Sequence, residues 1–331
     1  MAITLAQAAV LSENDLQAGV VEKFVQASPI LDRLPFIDID GNAYAYNSEL
    51  ALPGVEFRAV NSAYTESTGT FVQATESLVI LGGDADVDTF IQATRSNLID
   101  QKEAQIALKV KAASYKFQDT FFNGDTAVDA NSFDGLKKRL TGGQVIAAGG
   151  NGLNVVGNGG SDVNAFLDKL DEALAAAKIN GDNGAIYAND LIVAKISAAA
   201  RRANILVDDV VTYGNVTKRV SHYRGTPILD PGLTAAGARI LPQTETKGSA
   251  SGICSSAYCV RFGEDEADQA VTGLVNANHE GARSVEEGVI AVKDLGEQQA
   301  KPAHRVRIEA FLGVALFGGQ AACRLEGILN G

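Results

Sequence analysis

Read for its alternation of apolar and polar positions, the chain changes period between residues 43 and 122. In Ala43–Val60, Tyr44 and Tyr46 alternate with small or polar neighbours, then Val55 and Phe57 alternate with Glu56 and Arg58. Phe71–Leu81 alternates again through Val72, Ala74, Glu76, Leu78 and Ile80, and the connecting NSAYTESTG is polar. Period two with a polar connector predicts a hairpin over residues 43–81, bent at Pro53-Gly54 where a ladder bond is lost. Residues 88–122 then read as one helix of about 35 residues, roughly 52 Å at 1.5 Å per residue. Ile106, Val110, Ala113, Phe117 and Phe121 make its apolar stripe. Asp84, Asp86 and Asp88 cluster where carboxylates suit the positive end of a helix dipole. Arg95, Lys102, Lys109 and Lys116 recur every seven residues and line its flank, drifting about 20° per step. A compact monomer seldom needs either element. An arm that reaches out finds its core in another copy, so the pattern predicts a subunit of an assembly.

The remaining pattern is more ordinary. Thr4 and Ser12 sit where helix caps belong, and Leu16, Val20, Val21, Phe24 and Val25 repeat at helical spacing up to Ser28-Pro29. Residues 141–160 are a glycine-rich loop. Helices follow over Asp162–Lys178, with Phe166, Leu170 and Leu174 inward, and over Asp190–Arg202, capped by Asn189. Short strands dominate Val207–Ile240, and Arg305–Leu329 has the apolar and small residues of a buried strand pair.

Composition sharpens this reading. The length of 331 residues allows about two domains, and 46% hydrophobic with 21% charged residues supplies a core and argues against disorder. The net charge of −12 weighs against a sequence-reading nucleic-acid binder. It leaves room for a container that holds nucleic acid without gripping it. Cys254, Cys259 and Cys323 are a sparse, odd set and read as reduced thiols of a cytosolic fold. The first basic residue is Lys23, so the charged start of a signal peptide is missing, and no apolar run approaches the ~18 residues of a membrane span. A soluble chain made in the cytoplasm is expected.

No catalytic constellation survives inspection. Gly150-Asn151-Gly152 invites a dinucleotide reading, but Leu153-Asn154-Val155-Val156 reads as extended where that motif needs a helix. Cys254 and Cys259 lack a second pair or a nearby histidine for zinc, and His222, His279 and His304 are scattered. Asp84, Asp86 and Asp88 are read as helix caps in preference to a metal site, and Glu264, Asp265, Glu266 and Asp268 as a solvated loop. No catalytic, cofactor or metal site is expected, and the chain is not expected to be an enzyme.

The order of elements resembles the major capsid proteins of tailed bacteriophages, the Hong Kong 97-type fold. YNSELALPGVEFR looks like the first leg of that family's extended loop, YKFQDTFFNGD like the end of its spine helix, and FDGLKKRL like the passage into its axial domain. GTPILDPG resembles its Gly-x-Pro strand. YCVRFGEDE and HRVRIEAFLGVALFGGQAACRLEGI resemble its closing strands. The resemblance implies an α+β chain divided into an amino-terminal arm (1–42), extended β-hairpin loop (43–81), spine helix and peripheral domain (82–130), axial domain (131–283) and closing strands of the peripheral domain (284–331). It implies pentamers and hexamers that form an icosahedral shell around phage DNA, held without sequence-specific binding. A portal, a separate scaffold protein and a cement protein are expected partners, and no membrane or cofactor. The expected location is the virion, with assembly in the host cytoplasm. Inter-subunit contacts fall to Val55, Glu56, Phe57, Arg58, Tyr64 and Glu66 of the extended loop. Arg95, Lys102, Lys109 and Lys116 read either as a solvated face or as a basic stripe toward the inner face or a neighbouring subunit. Some relatives cross-link a lysine of this loop, yet no lysine occurs here between Lys23 and Lys102. Some also carry a scaffolding domain ahead of the arm, whereas this chain reaches the arm at once. The rival readings are an encapsulin-type shell around an enzyme, a glycine-rich α/β ligand-binding enzyme built on residues 131–283, and a sheet-forming surface-layer protein.

Overall fold

The computed structural model describes residues 28–90, 101–156, 160–202, 207–213, 216–276 and 290–329. The expected amino-terminal helix, Arg95 and His279 lie outside the described residues. Strand β1 (Phe36–Asp38) precedes the hairpin strands β2 (Ala43–Ala51) and β3 (Thr70–Ser77), then β4 (Val79–Asp88), the long helix α1 (Gln101–Asn123) and the short helix α2 (Leu136–Arg139). Next come β5 (Val145–Ala147), β6 (Leu153–Asn154), α3 (Gly160–Ala176), β7 (Gly184–Tyr187), α4 (Asp190–Arg202), β8 (Val207–Tyr213), β9 (Val216–Tyr223) and β10 (Thr226–Leu229). The remaining strands are β11 (Glu245–Lys247), β12 (Ala250–Arg261), β13 (Val271–Val275), β14 (Ala291–Glu297), β15 (Ala303–Leu316) and β16 (Ala322–Leu329).

Two sheets organise these elements. The first runs β1-β13-β15-β14, with β4 on the other edge of β15. Over residues 303–312 β15 pairs with β4, while its opposite edge serves β14 and then β13. The second sheet runs β5-β16-β12-β7-β10-β9-β8, with β11 added to β12 and β6 to β16. The expected tail pair is therefore corrected: β15 and β16 are both strands, but they belong to different sheets. Gly318, at φ +126°, turns the chain from one to the other.

The apolar stripe of α1 is buried as its spacing predicts. Ile106, Val110, Phe117 and Phe121 share one core with Val306, Ile308 and Leu312 of β15 and with Tyr187 and Tyr258 of the second sheet. Phe122 sits 5.1 Å from the ring of Tyr258 and 5.6 Å from that of Tyr187, so the end of α1 is wedged between both sheets. The opposite face of the second sheet packs Ile186, Cys259 and Cys323 under Phe166, Leu170 and Leu174 of α3 and Ile192 and Ile196 of α4. Asn189 caps α4 as expected, its side-chain oxygen accepting from the Ile192 N–H at 2.9 Å.

The aspartate cluster departs from its expected role. Only Asp88 caps, accepting from the Phe90 N–H at 2.8 Å. Asp84 and Asp86 lie within β4, directly opposite Arg307 and Arg305 of β15. Arg307 grips Asp84 through Nε at 2.8 Å and Nη2 at 3.0 Å, and Arg305 grips Asp86 at 2.6 and 2.8 Å. Acids two apart follow the strand period, and cross-strand opposite charges support each other. The helix expected over 88–122 thus shares its start with the end of a strand; Thr89 and Phe90 are helical, 91–100 lie outside the described residues, and α1 closes at Asn123.

After α1 the chain doubles back through a close approach of two glycines. The Gly135 N–H donates to the Gly124 carbonyl at 2.9 Å. A Cβ on Gly135 would stand 2.6 Å from Gly124 N and Thr120 O. That contact seats α2 rigidly on the end of α1. The acidic run after β12 is a capped turn, with Asp265 accepting from the Ala267 and Asp268 N–H groups. All three cysteines are free and buried. Among the described residues no cluster of His, Cys, Asp and Glu could hold a metal ion, and no helix is long and apolar enough to cross a membrane.

Two outcomes are expected. Gly135→Ala forces the α1–α2 joint apart and lowers stability by about 1–3 kcal/mol in denaturant melts. The second concerns acid. Hydrogen bonds from Arg307 hold the Asp84 carboxyl below its ordinary value of 3.8, and those from Arg305 and Lys301 do the same to Asp86. Depressed carboxyls stabilise the fold above the unfolded value and stop doing so as pH falls. The double variant Asp84→Asn, Asp86→Asn should therefore melt below the parent at pH 7, and the gap should narrow as the pH drops below 3.8.

Candidate assembly arm and its mounting

The hairpin pairs from Ala43↔Ser77 to Glu49↔Phe71, and its register slips before Ala51↔Thr70. The expected first leg to Val60 is shorter in the structure, because the ladder ends at Ala51, two residues before a proline that cannot donate. Residues 52–69 form an irregular tip held by its own polar bonds. Glu56 accepts from the Thr65 N–H at 2.5 Å, which holds its carboxyl below the usual range. Ser67 Oγ donates to the Gly54 carbonyl at 2.9 Å. Arg58 donates to the Ser62 carbonyl at 3.1 Å and lies 5.1 Å from the centre of the Tyr64 ring. Glu56, Arg58 and Tyr64 thereby shape the tip, and Glu66 is exposed beside them. Val55 and Phe57 have no such role: they are 95% and 108% exposed, and Val60 is 91% exposed.

The base of the arm is the reverse case. The Tyr46 and Tyr44 rings meet Phe317 edge-on at 4.9 and 5.8 Å. Tyr46 donates to the Leu316 carbonyl at 2.8 Å, and Tyr44 to Glu266 at 3.4 Å. Glu76, opposite Tyr44 in the ladder, accepts from Arg139, whose second amino group donates to the Val314 carbonyl at 2.8 Å. Burial raises the Glu76 pKa, and the Arg139 charge and hydrogen bond pull it back. Sequence reasoning passed over Glu76, Arg139 and Phe317 as mounting residues. They come together from three distant parts of the chain, and only the FDGLKKRL segment singled out Arg139.

The basic stripe is divided by the fold. Lys102 is ion-paired with Asp294 of β14. Lys109 lies half-buried over β4, where a Cβ on Gly83 would touch its Cε at 3.3 Å. Lys116 is exposed. A shallow hollow between α1 and β4 is lined by Asp84, Asp86, Gln105, Leu108 and Lys109, and the carboxylates in it are engaged by the arginines of β15.

Comparison with known proteins agrees with this geometry. Residues 12–165, which include the arm, α1 and α2, match the family model of Major capsid protein GP7. No curated protein matches the chain in sequence. Among solved structures it is similar to the holo-SrpI encapsulin complex of Synechococcus elongatus PCC 7942, with a TM-score of 0.62 and 15% identity over 90% of this chain and 86% of that one. The capsid of a native GTA particle gives 0.57 and 15% over 91% and 90% of the two chains. Microbacterium phage Oxtober96 gives 0.56 and 11% over 90% of each. At these identities the likeness is one of fold. The chain thus has the Hong Kong 97-type fold of phage capsid and encapsulin subunits, as its resemblance to the tailed-phage major capsid proteins implies.

Proposed function

We propose that this chain is the major capsid subunit of a tailed phage or prophage, assembling through pentamers and hexamers into an icosahedral shell around DNA. One observation carries the reading: an arm firmly mounted at its base presents Val55, Phe57 and Val60 to solvent at its tip. Each such side chain gains roughly 1.5–3 kcal/mol on burial. Among the described residues nothing covers them, and a second copy can. Repetition of that contact around closed symmetry turns a modest interaction into a stable shell. The match to Major capsid protein GP7 and the fold shared with capsid structures support the same reading.

Val55, Glu56, Phe57, Arg58, Tyr64 and Glu66 are the proposed inter-subunit residues, and among the described members of the basic stripe Lys116 is the exposed one, available to DNA or a neighbour. The role asks for no catalytic group and no cofactor. A net charge of −12 suits a wall that lets packed DNA slide. With no lysine between Lys23 and Lys102, the arm contact is noncovalent. A separate scaffold protein, a portal and a cement protein complete the proposed particle, and the virion is its location after assembly in the host cytoplasm. The TM-score of 0.62 to an encapsulin favours a second reading, a shell around a protein cargo. Particle contents separate the two: DNA for the capsid, an enzyme for the compartment.

Expressed with its neighbouring genes, the parent should give rings of five or six subunits, or closed shells, by negative-stain electron microscopy. Phe57→Asp should abolish them and leave the melting temperature of the monomer unchanged. Intact shells from that variant would sink the proposal.

A further inference from the structure

Helix α2 carries three successive cations, Lys137, Lys138 and Arg139, and each meets a carboxylate from a different part of the molecule. Lys137 reaches Glu245 of β11 at 3.3 Å, and the same carboxylate accepts from Arg324 of β16 at 3.0 Å. Lys138 bridges Asp125 at 2.7 Å and Asp134 at 2.8 Å, across the loop that leaves α1. Arg139 holds Glu76 of the arm and, through its other amino group, the Val314 carbonyl of β15. This divergence is built in, because successive residues of a helix point about 100° apart. Three adjacent cations on one turn must face three directions. The turn itself is closely packed: Leu136 is buried, and Gly135 is pressed against the end of α1.

We propose that α2 is the joint through which the arm is set relative to both sheets, and that Arg139 is the positioning residue that fixes the arm's direction. Arg139 suits the task because its planar fork satisfies the arm carboxylate and the sheet carbonyl together. A lysine presents a single ammonium and cannot span both in fixed geometry. The tyrosine packing on Phe317 supplies adhesion at the base. Tyr46 also reaches Glu76 at 3.5 Å and the Leu316 carbonyl, but Arg139 supplies direction, since it ties β3 to β15 from α2, the turn seated on the end of α1. The assembly readout of this inference rests on the capsid reading; the arm's geometry does not.

The test is double electron–electron resonance on the full chain, with spin labels at Ser62→Cys in the tip and Ala175→Cys on α3. The native thiols are buried, so labelling is confined to the two introduced sites. The parent should give one narrow distance distribution. Arg139→Gln should lower the melting temperature and, at temperatures where the variant is still folded, widen the distribution roughly twofold; Arg139→Lys should not restore it. Glu76→Gln should widen it too, and the Arg139→Gln, Glu76→Gln double variant should be no wider than either single, the mark of one shared contact. If Arg139→Gln fails to fold, Glu76→Gln reads the contact from the arm side. A distribution as narrow as the parent's in both single variants overturns the proposal. In assembly, Arg139→Gln should give particles of mixed size where the parent gives one. Absence of particles from the parent counts against the capsid reading alone, because the resonance result stands without it.

Discussion

Strand β15 carries hydrogen-bond ladders along both edges, and the arm, the long helix and the passage to the second sheet are all placed by it. Its outer edge receives β4, which delivers the chain from the hairpin to the helix. Its apolar face takes Ile106, Val110 and Phe117 of α1. Its last carbonyls, at Val314 and Leu316, accept from Arg139 and Tyr46 and so hold the base of the arm. Remove this strand and β4 loses its pairing partner, α1 loses part of its packing surface, and the arm loses the two carbonyls that anchor its base.

The contrast between the two ends of the arm is energetic as well as geometric. At the base, aromatic rings meet edge-on and a partly buried ion pair is completed by a backbone carbonyl. Such a pair adds little net stability over apolar packing, but breaking one side leaves a desolvated charge behind. The exposed tip has the opposite character: its internal bonds give it shape, and its apolar side chains Val55, Phe57 and Val60 stand in solvent. A contact segment ordered before docking has less conformational freedom to lose on association.

Local features of this fold were legible in the sequence where one element decides its own fate. The 3.6-residue stripe of α1, the Asn189 cap, the inward residues of α3 and the alternation that marks the hairpin are all written in short-range spacing, whichever residues come to cover them. Legibility failed where the partner is remote. Asp84 and Asp86 looked like helix caps because nothing nearby announced Arg305 and Arg307, although their spacing of two was a strand signal in plain view. Lys102 looked like part of a continuous basic face because Asp294, its partner, lies 192 residues away. The tail read as one strand pair because its two strands share composition; Gly318-Gly319 was the signal that the chain changes sheets. The mounting of the arm joins Tyr46, Glu76, Arg139 and Phe317, and no local pattern links them.

The late position of β15 has a consequence for biosynthesis. Its pairing with β4 closes a loop of more than two hundred residues, as in the contact of Arg307 with Asp84 at a separation of 223. Contacts of such span form late, and a chain emerging from the ribosome makes its amino-terminal parts first. The hairpin is therefore synthesised long before its mount exists. Until Val314, Leu316 and Phe317 emerge, the hairpin lacks the groups that hold its base. The order of translation thus leaves the hairpin unmounted in nascent chains and in any chain cut before Phe317.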